Sequence, residues 1–137
     1  ALPPVQPTGH NGPMFDPQGP CAVPGTSPAL GIRGMVATRD IAAGELIEVP
    51  PLLEVPQADL NALGSTFLRH YLFSASGKVV ICLGYGSLYN HSADNNALVV
   101  ERGSRLMIIS RRPIAAGEEV CISYGDDQAE VAARYGF

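Results

Sequence analysis

The 137-residue chain is poor in lysine and cysteine, and it lacks long apolar runs. Lys78 is the single lysine among nine basic residues, the other eight being Arg, and no basic run exists. That argues against a phosphate-driven nucleic-acid binder. No apolar stretch approaches the ~18–20 residues of a membrane span, and no basic segment leads into an apolar one, so neither membrane association nor a secretory signal is expected. Cys21, Cys82 and Cys121 are odd in number and widely spaced, which excludes a disulfide framework, and no Cys-x-x-Cys pair suggests zinc. Free thiols fit a reducing compartment, so an intracellular, cytoplasmic location is expected, with the nucleus left open as the alternative.

What is present suits one folded domain. Hydrophobic residues make up 46% of the chain and charged residues 16%, outside the range of disordered chains. The net charge of −4 favours a cationic partner only mildly. Residues 1–28 hold eight of the twelve prolines and read as a Pro/Gly-rich N-terminal arm, with Met14, Phe15, Cys21 and Val23 as its anchors. Residues 29–137 form the domain proper. Short extended runs are expected at 35–38, 46–49, 52–55 and 120–123. Two hairpins are expected, one pairing 67–73 with 78–83 and the other pairing 96–100 with 105–110. Short helices fit 58–63 and 127–134. Strands this short and this closely spaced predict a mainly β domain rather than a parallel α/β sheet. Two turns resemble each other, Arg39-Asp40-Ile41-Ala42-Ala43-Gly44-Glu45 and Arg112-Pro113-Ile114-Ala115-Ala116-Gly117-Glu118, and each leads into an apolar strand.

The densest chemistry lies in Gly84-Tyr85-Gly86-Ser87-Leu88-Tyr89-Asn90-His91-Ser92, an irregular segment rich in donors and acceptors. Composition alone also allows a turn held by local hydrogen bonds. His91 has no partner at metal spacing, and Ser92 lacks a nucleophile-elbow context.

Three segments in order resemble the SET domain of protein-lysine methyltransferases. Ile32-Arg33-Gly34-Met35-Val36-Ala37 resembles the first motif, G-x-G before a strand. Asn90-His91-Ser92, with Asn96 beyond it, resembles N-H-S-x-x-P-N. Gly117-Glu118-Glu119-Val120-Cys121-Ile122-Ser123-Tyr124 resembles G-E-E-L-x-x-x-Y. Arg134-Tyr135-Gly136-Phe137 is similar to the ending of the Rubisco-type lysine methyltransferase branch. Ile32 stands where the first glycine is usual, and Asn95 where proline is.

The resemblance implies a β-clip of small curved sheets with a C-terminal pseudoknot. It implies S-adenosylmethionine as cofactor, held by the backbone of Arg33 and Gly34 and by Asn90 and His91, and no metal. Tyr124 would be the catalytic residue. Tyr135, Phe137, Ile122, Tyr85 and Tyr89 would wall a channel for the target lysine. Strand alternation would put Ile122 on the face of Tyr124, where its lack of a hydroxyl would admit di- or trimethylation; the alternative is that Ile122 points into the core and Tyr85 or Tyr89 sets the limit. The partner would be a protein or peptide presenting a lysine, and the chain a monomer or homodimer. A SET-fold binding module without turnover and a small-amine methyltransferase remain alternatives.

Overall fold

The computed structural model describes residues 19–124. The expected anchors Met14 and Phe15, the expected helix at 127–134, and Tyr135 and Phe137 lie outside the described residues. Among the described residues the architecture is mainly β, three small sheets over a main buried cluster and two smaller ones. The first sheet has the order β1-β2-β10-β7, from Ala22–Thr26, Arg33–Ala37, Glu119–Ile122 and Asn90–His91. The second is β3-β9-β8, from Leu46–Glu48, Arg105–Ser110 and Ala97–Arg102. The third is β4-β6-β5, from Leu52–Glu54, Lys78–Cys82 and Leu72–Ala75. One short helix, α1 (Leu60–Gly64), follows a 3₁₀ turn at Gln57–Asp59. Among the described residues no helix is long and apolar enough to cross a membrane.

Two expectations need correction. The stretch assigned to the arm contributes β1, which pairs with β2 from Ala22↔Ala37 to Thr26↔Arg33. Pro24 is tolerated because β1 is an edge strand, where a missing N–H costs no ladder bond. Cys21 and Ala22 are buried in the main core. The first expected hairpin is also shorter than its apolar run. Phe67–Tyr71 is a 3₁₀ helix, and the strand begins only at Leu72. The Thr66 hydroxyl caps that helix by accepting the N–H of Leu68, so the local hydrogen bond overrides β propensity. Ser76 and Gly77, both with positive φ (51° and 72°), close the hairpin in the primed-turn geometry that strand twist favours.

The two similar turns meet in space. Ile41 and Ile114 exchange both backbone hydrogen bonds, at 2.8 and 2.9 Å. In each turn the terminal glutamate folds back onto a backbone N–H and the initial arginine. Glu45 takes Ala42 N–H at 2.8 Å and Arg39 at 2.6 Å, and Glu118 takes Ala115 N–H at 3.0 Å and Arg112 at 2.9 Å. The strands around them are exchanged: β3, after the first turn, pairs with β9, which precedes the second. β10, after the second turn, pairs with β2, which precedes the first.

Beside β10 runs β7, in a parallel pairing of Cys121↔Asn90 and Ile122↔His91. The core under this junction is made of Met35, Ala97, Val120, Ile122 and Tyr89, all nearly inaccessible. The junction therefore sets Asn90, His91 and the end of β10 side by side on a rigid floor.

Candidate functional site

A cleft of about 620 Å³ opens where β2, β7 and β10 end and the 3₁₀ helix at Phe67–Tyr71 approaches. Ile32 and Arg33, Tyr89 and Asn90, Tyr71 and Tyr124 face it, with Arg69 and His70 at the same cavity. Four sequence-predicted residues, Arg33, Tyr89, Asn90 and Tyr124, are thus brought together on one cleft.

Tyr124 is fixed at three points. Its hydroxyl donates to the Tyr89 carbonyl at 2.6 Å, its N–H donates to His91 Nδ1 at 3.0 Å, and its ring lies 5.2 Å from the imidazole. Tyr124 is 63% exposed, and partial desolvation by the surrounding protein is the main influence raising its pKa above the ordinary 10.0, so the phenol is neutral at physiological pH. With its proton committed to a carbonyl, the phenol oxygen has lone pairs left to accept a hydrogen bond from a ligand.

Asn90 spends its amide N–H groups inside the protein. Nδ2 donates to the Arg33 carbonyl at 2.8 Å and to Glu119 Oε1 at 2.8 Å. Its Oδ1 is what it can still offer, an acceptor suited to an ammonium or amine donor. His91 does not line the cleft; its Nδ1 accepts the Tyr124 N–H, so it supports the tyrosine. Gly34 does not line it either. A side chain at 34 would collide with the Glu119 carboxylate and come within 3.0 Å of Asn90 Nδ2, which explains the glycine without any ligand.

Ile122 is not where alternation would put it. It is 1% exposed, packs in the main core, and is absent from the cleft lining. The strand stops at Ile122 and the chain bends at Tyr124, so the period of two does not reach the tyrosine. Tyr85 also stays off the cleft, half-buried against the core.

Sequence reasoning missed Glu48, Glu119 and Ser27. Glu48 is 1% exposed. Its Oε1 accepts the Tyr85 N–H at 3.0 Å and its Oε2 accepts the Tyr89 hydroxyl at 2.8 Å. Burial raises its pKa, against the opposing pull of those two hydrogen bonds. Its position in the apolar run Leu46-Ile47-Glu48-Val49 was the available signal. Glu119 stood in plain view in the Gly-Glu-Glu run. Among the described residues no cluster of His, Cys, Asp or Glu could hold a metal ion.

Comparison with known proteins places this geometry. The SET domain family model matches residues 32–125. A fission-yeast (Schizosaccharomyces pombe) protein named as a histone-lysine N-methyltransferase specific for lysine 37 of H3 is 34% identical over 111 residues, spanning 74% of this chain and 76% of its own length. A crystal structure of a Plasmodium falciparum protein assigned as a histone methyltransferase superposes with a TM-score of 0.64 at 29% identity, over 79% of this chain and 96% of that one. Motif order, sheet arrangement and relatives agree, and the chain belongs to the SET-domain family of protein-lysine methyltransferases.

Proposed function

We propose that this chain transfers a methyl group from S-adenosylmethionine to the side-chain amine of a lysine in a protein, with Tyr124 as the catalytic residue. The observation that carries this reading is the tyrosine hydroxyl anchored on the Tyr89 carbonyl at the wall of a cleft that Arg33 and Asn90 share. The residues fit the cofactor: Asn90 Oδ1 suits its ammonium, and the cleft offers room and backbone close to Arg33.

S-adenosylmethionine supplies a methyl group on a positively charged sulfur, open to in-line attack by a neutral amine. The chain has to deliver that neutral amine and aim it. A free lysine titrates near 10.4 and arrives charged. Among the described residues that line the cleft there is no Asp or Glu, while Arg33 and Arg69 are present. Cationic neighbours and partial burial both disfavour an ammonium and lower its pKa. The Tyr124 oxygen then accepts one N–H of the amine, which turns the nitrogen lone pair along a fixed direction. Arg33, Asn90 and the buried Tyr89 keep the other walls in place.

The relative's named substrate makes histone H3 the first protein to try, and the chain's net charge of −4 suits a basic tail. The test is a methylation assay with labelled cofactor on whole proteomes and on histones, comparing wild type with Tyr124→Phe. Turnover should fall by roughly 10²-fold or more in the variant, the scale of losing one positioned polar group. Cofactor affinity and melting should barely move. Cofactor binding without transfer to any protein would favour the binding-module alternative, and transfer to free amines alone would favour the small-amine one.

A further inference from the structure

We propose that Glu119 is a positioning residue for the cofactor side of the cleft, and that Ser27, upstream of the matched SET segment, works through it. The proposal rests on the function inferred above and adds a part of the chain that the family match does not include.

Glu119 sits on β10, in register with Val36 of β2, and its carboxylate joins two other chain segments. Oε1 accepts the Asn90 amide at 2.8 Å, and Oε2 accepts the Ser27 hydroxyl. Ser27 is 1% exposed and organises the turn that leads into Arg33. Its hydroxyl accepts the Leu30 N–H at 3.1 Å, its carbonyl the Gly31 N–H at 2.9 Å, and its N–H donates to the Ile32 carbonyl at 2.7 Å. Gly31 takes φ +67° to close that turn. One carboxylate therefore ties the 27–34 turn to Asn90, and Asn90 ties back to the turn through the Arg33 carbonyl.

The chemistry of each group makes the arrangement directional. The Glu119 carboxylate oxygen and the Arg33 carbonyl both accept from Nδ2, so Asn90 presents its N–H groups inward and leaves Oδ1 for a ligand. Without the carboxylate the amide keeps only its bond to the Arg33 carbonyl, which itself sits on the turn that Glu119 ties down. The Ser27 hydroxyl would lose its acceptor in a buried place, and the turn carrying Ile32 and Arg33 would loosen. Glycine at 34 belongs to the same device, because the carboxylate fills the space of a side chain there.

The experiment measures S-adenosylmethionine affinity by calorimetry, the KM for cofactor, the KM for the protein substrate and kcat, together with amide exchange at Leu30 and Gly31 in the cofactor-free protein. Glu119→Ala and Ser27→Ala are the disrupting variants. Glu119→Gln is the conservative one, since its oxygen can still take the Asn90 amide while its N–H₂ faces Ser27. Each disrupting variant should weaken cofactor binding about tenfold or more, the scale of an orphaned buried partner. Cofactor KM should rise in parallel, with kcat at saturating cofactor and the substrate KM near wild type. Exchange at Leu30 and Gly31 should quicken, and Glu119→Gln should recover most of the affinity. Should Glu119→Ala fail to fold, Ser27→Ala decides. Folded variants that bind cofactor as wild type does would overturn the positioning role alone. A wild-type chain without cofactor affinity would overturn the proposed function and this inference with it.

Discussion

Glu48 is a carboxylate in a place where carboxylates are expensive, and its two hydrogen bonds say what it holds. It pins both ends of the 85–89 segment, through the Tyr85 N–H and the Tyr89 hydroxyl, and the Tyr89 carbonyl in turn holds Tyr124. Glu48→Ala leaves both donors unpaired beside a cavity and should cost about 2–4 kcal/mol in denaturant unfolding. The pH dependence has a definite sign. Burial raises the folded-state pKa, so the contribution of Glu48 to stability is complete below the unfolded value of 4.5 and is lost as pH rises through the folded one. Glu48→Gln, which cannot ionise, should therefore gain stability relative to wild type as pH climbs from about 4.5 to 7. A stability difference between the two that is flat across that window would mean that burial does not raise the Glu48 carboxyl above its unfolded value.

At the scale of elements, the two turns carry the opposite sign. The Arg39 guanidinium hydrogen-bonded to Glu45 holds that carboxyl below 4.5, with the Ala42 N–H adding to it against a modest burial penalty. Glu118 is likewise lowered: burial pushes it up, but the Ala115 N–H, Arg112 and Asn96 together outweigh that. Depressed folded values give stability that is present above 4.5 and lost as pH falls through them. Both pairs are partly exposed, so the effect is small and salt-sensitive. The double variant Glu45→Gln/Glu118→Gln should show a flatter loss of melting temperature between about pH 5 and pH 3 than wild type. An acid limb as steep as that of wild type would mean other groups set it. These turns were legible from the chain because each ends on a glycine, Gly44 or Gly117, in the left-handed region and a glutamate that folds back. Glu48 was not. The register shift between Leu46 and Glu48 against β9 inserts an extra residue, so Ile47 and Glu48 both turn inward where alternation would expose one of them. Ile122 lies in the core for the complementary reason, a strand that stops short of Tyr124, so alternation does not carry over to the tyrosine.

For the whole molecule, the mainly β class followed from short, closely spaced strands, while the start of the fold and the pairing of Asn90 with the Gly-Glu-Glu strand did not. Proline content masks β1, because an edge strand needs only half its backbone groups paired. Truncation through Thr26 removes the Cys21 and Ala22 contacts from the core and uncovers the edge of β2. It should lower the melting temperature on the order of 10 °C, by burial and strand-pairing losses of a few kcal/mol. The truncated chain should also associate through its new edge in light scattering. A shortened chain that melts as the full one does would make β1 an ornament of the sheet.

The exchanged strand pairing has a consequence for a chain cut in two. A break between Ser76 and Gly77, at the tip of the β5–β6 hairpin, leaves β1 to β5 on one fragment and β6 to β10 on the other. Each of the three sheets then draws strands from both pieces: β1 and β2 with β10 and β7, β3 with β9 and β8, β4 and β5 with β6. Neither fragment can complete a sheet by itself, so each alone should give a circular dichroism spectrum lacking native β structure. Mixed, they should reassemble at a rate that depends on concentration, and cofactor binding should return with them. Two reporter halves fused at that tip would therefore register the meeting of the pieces, and failure of the mixture to regain native structure would contradict the interleaved pairing.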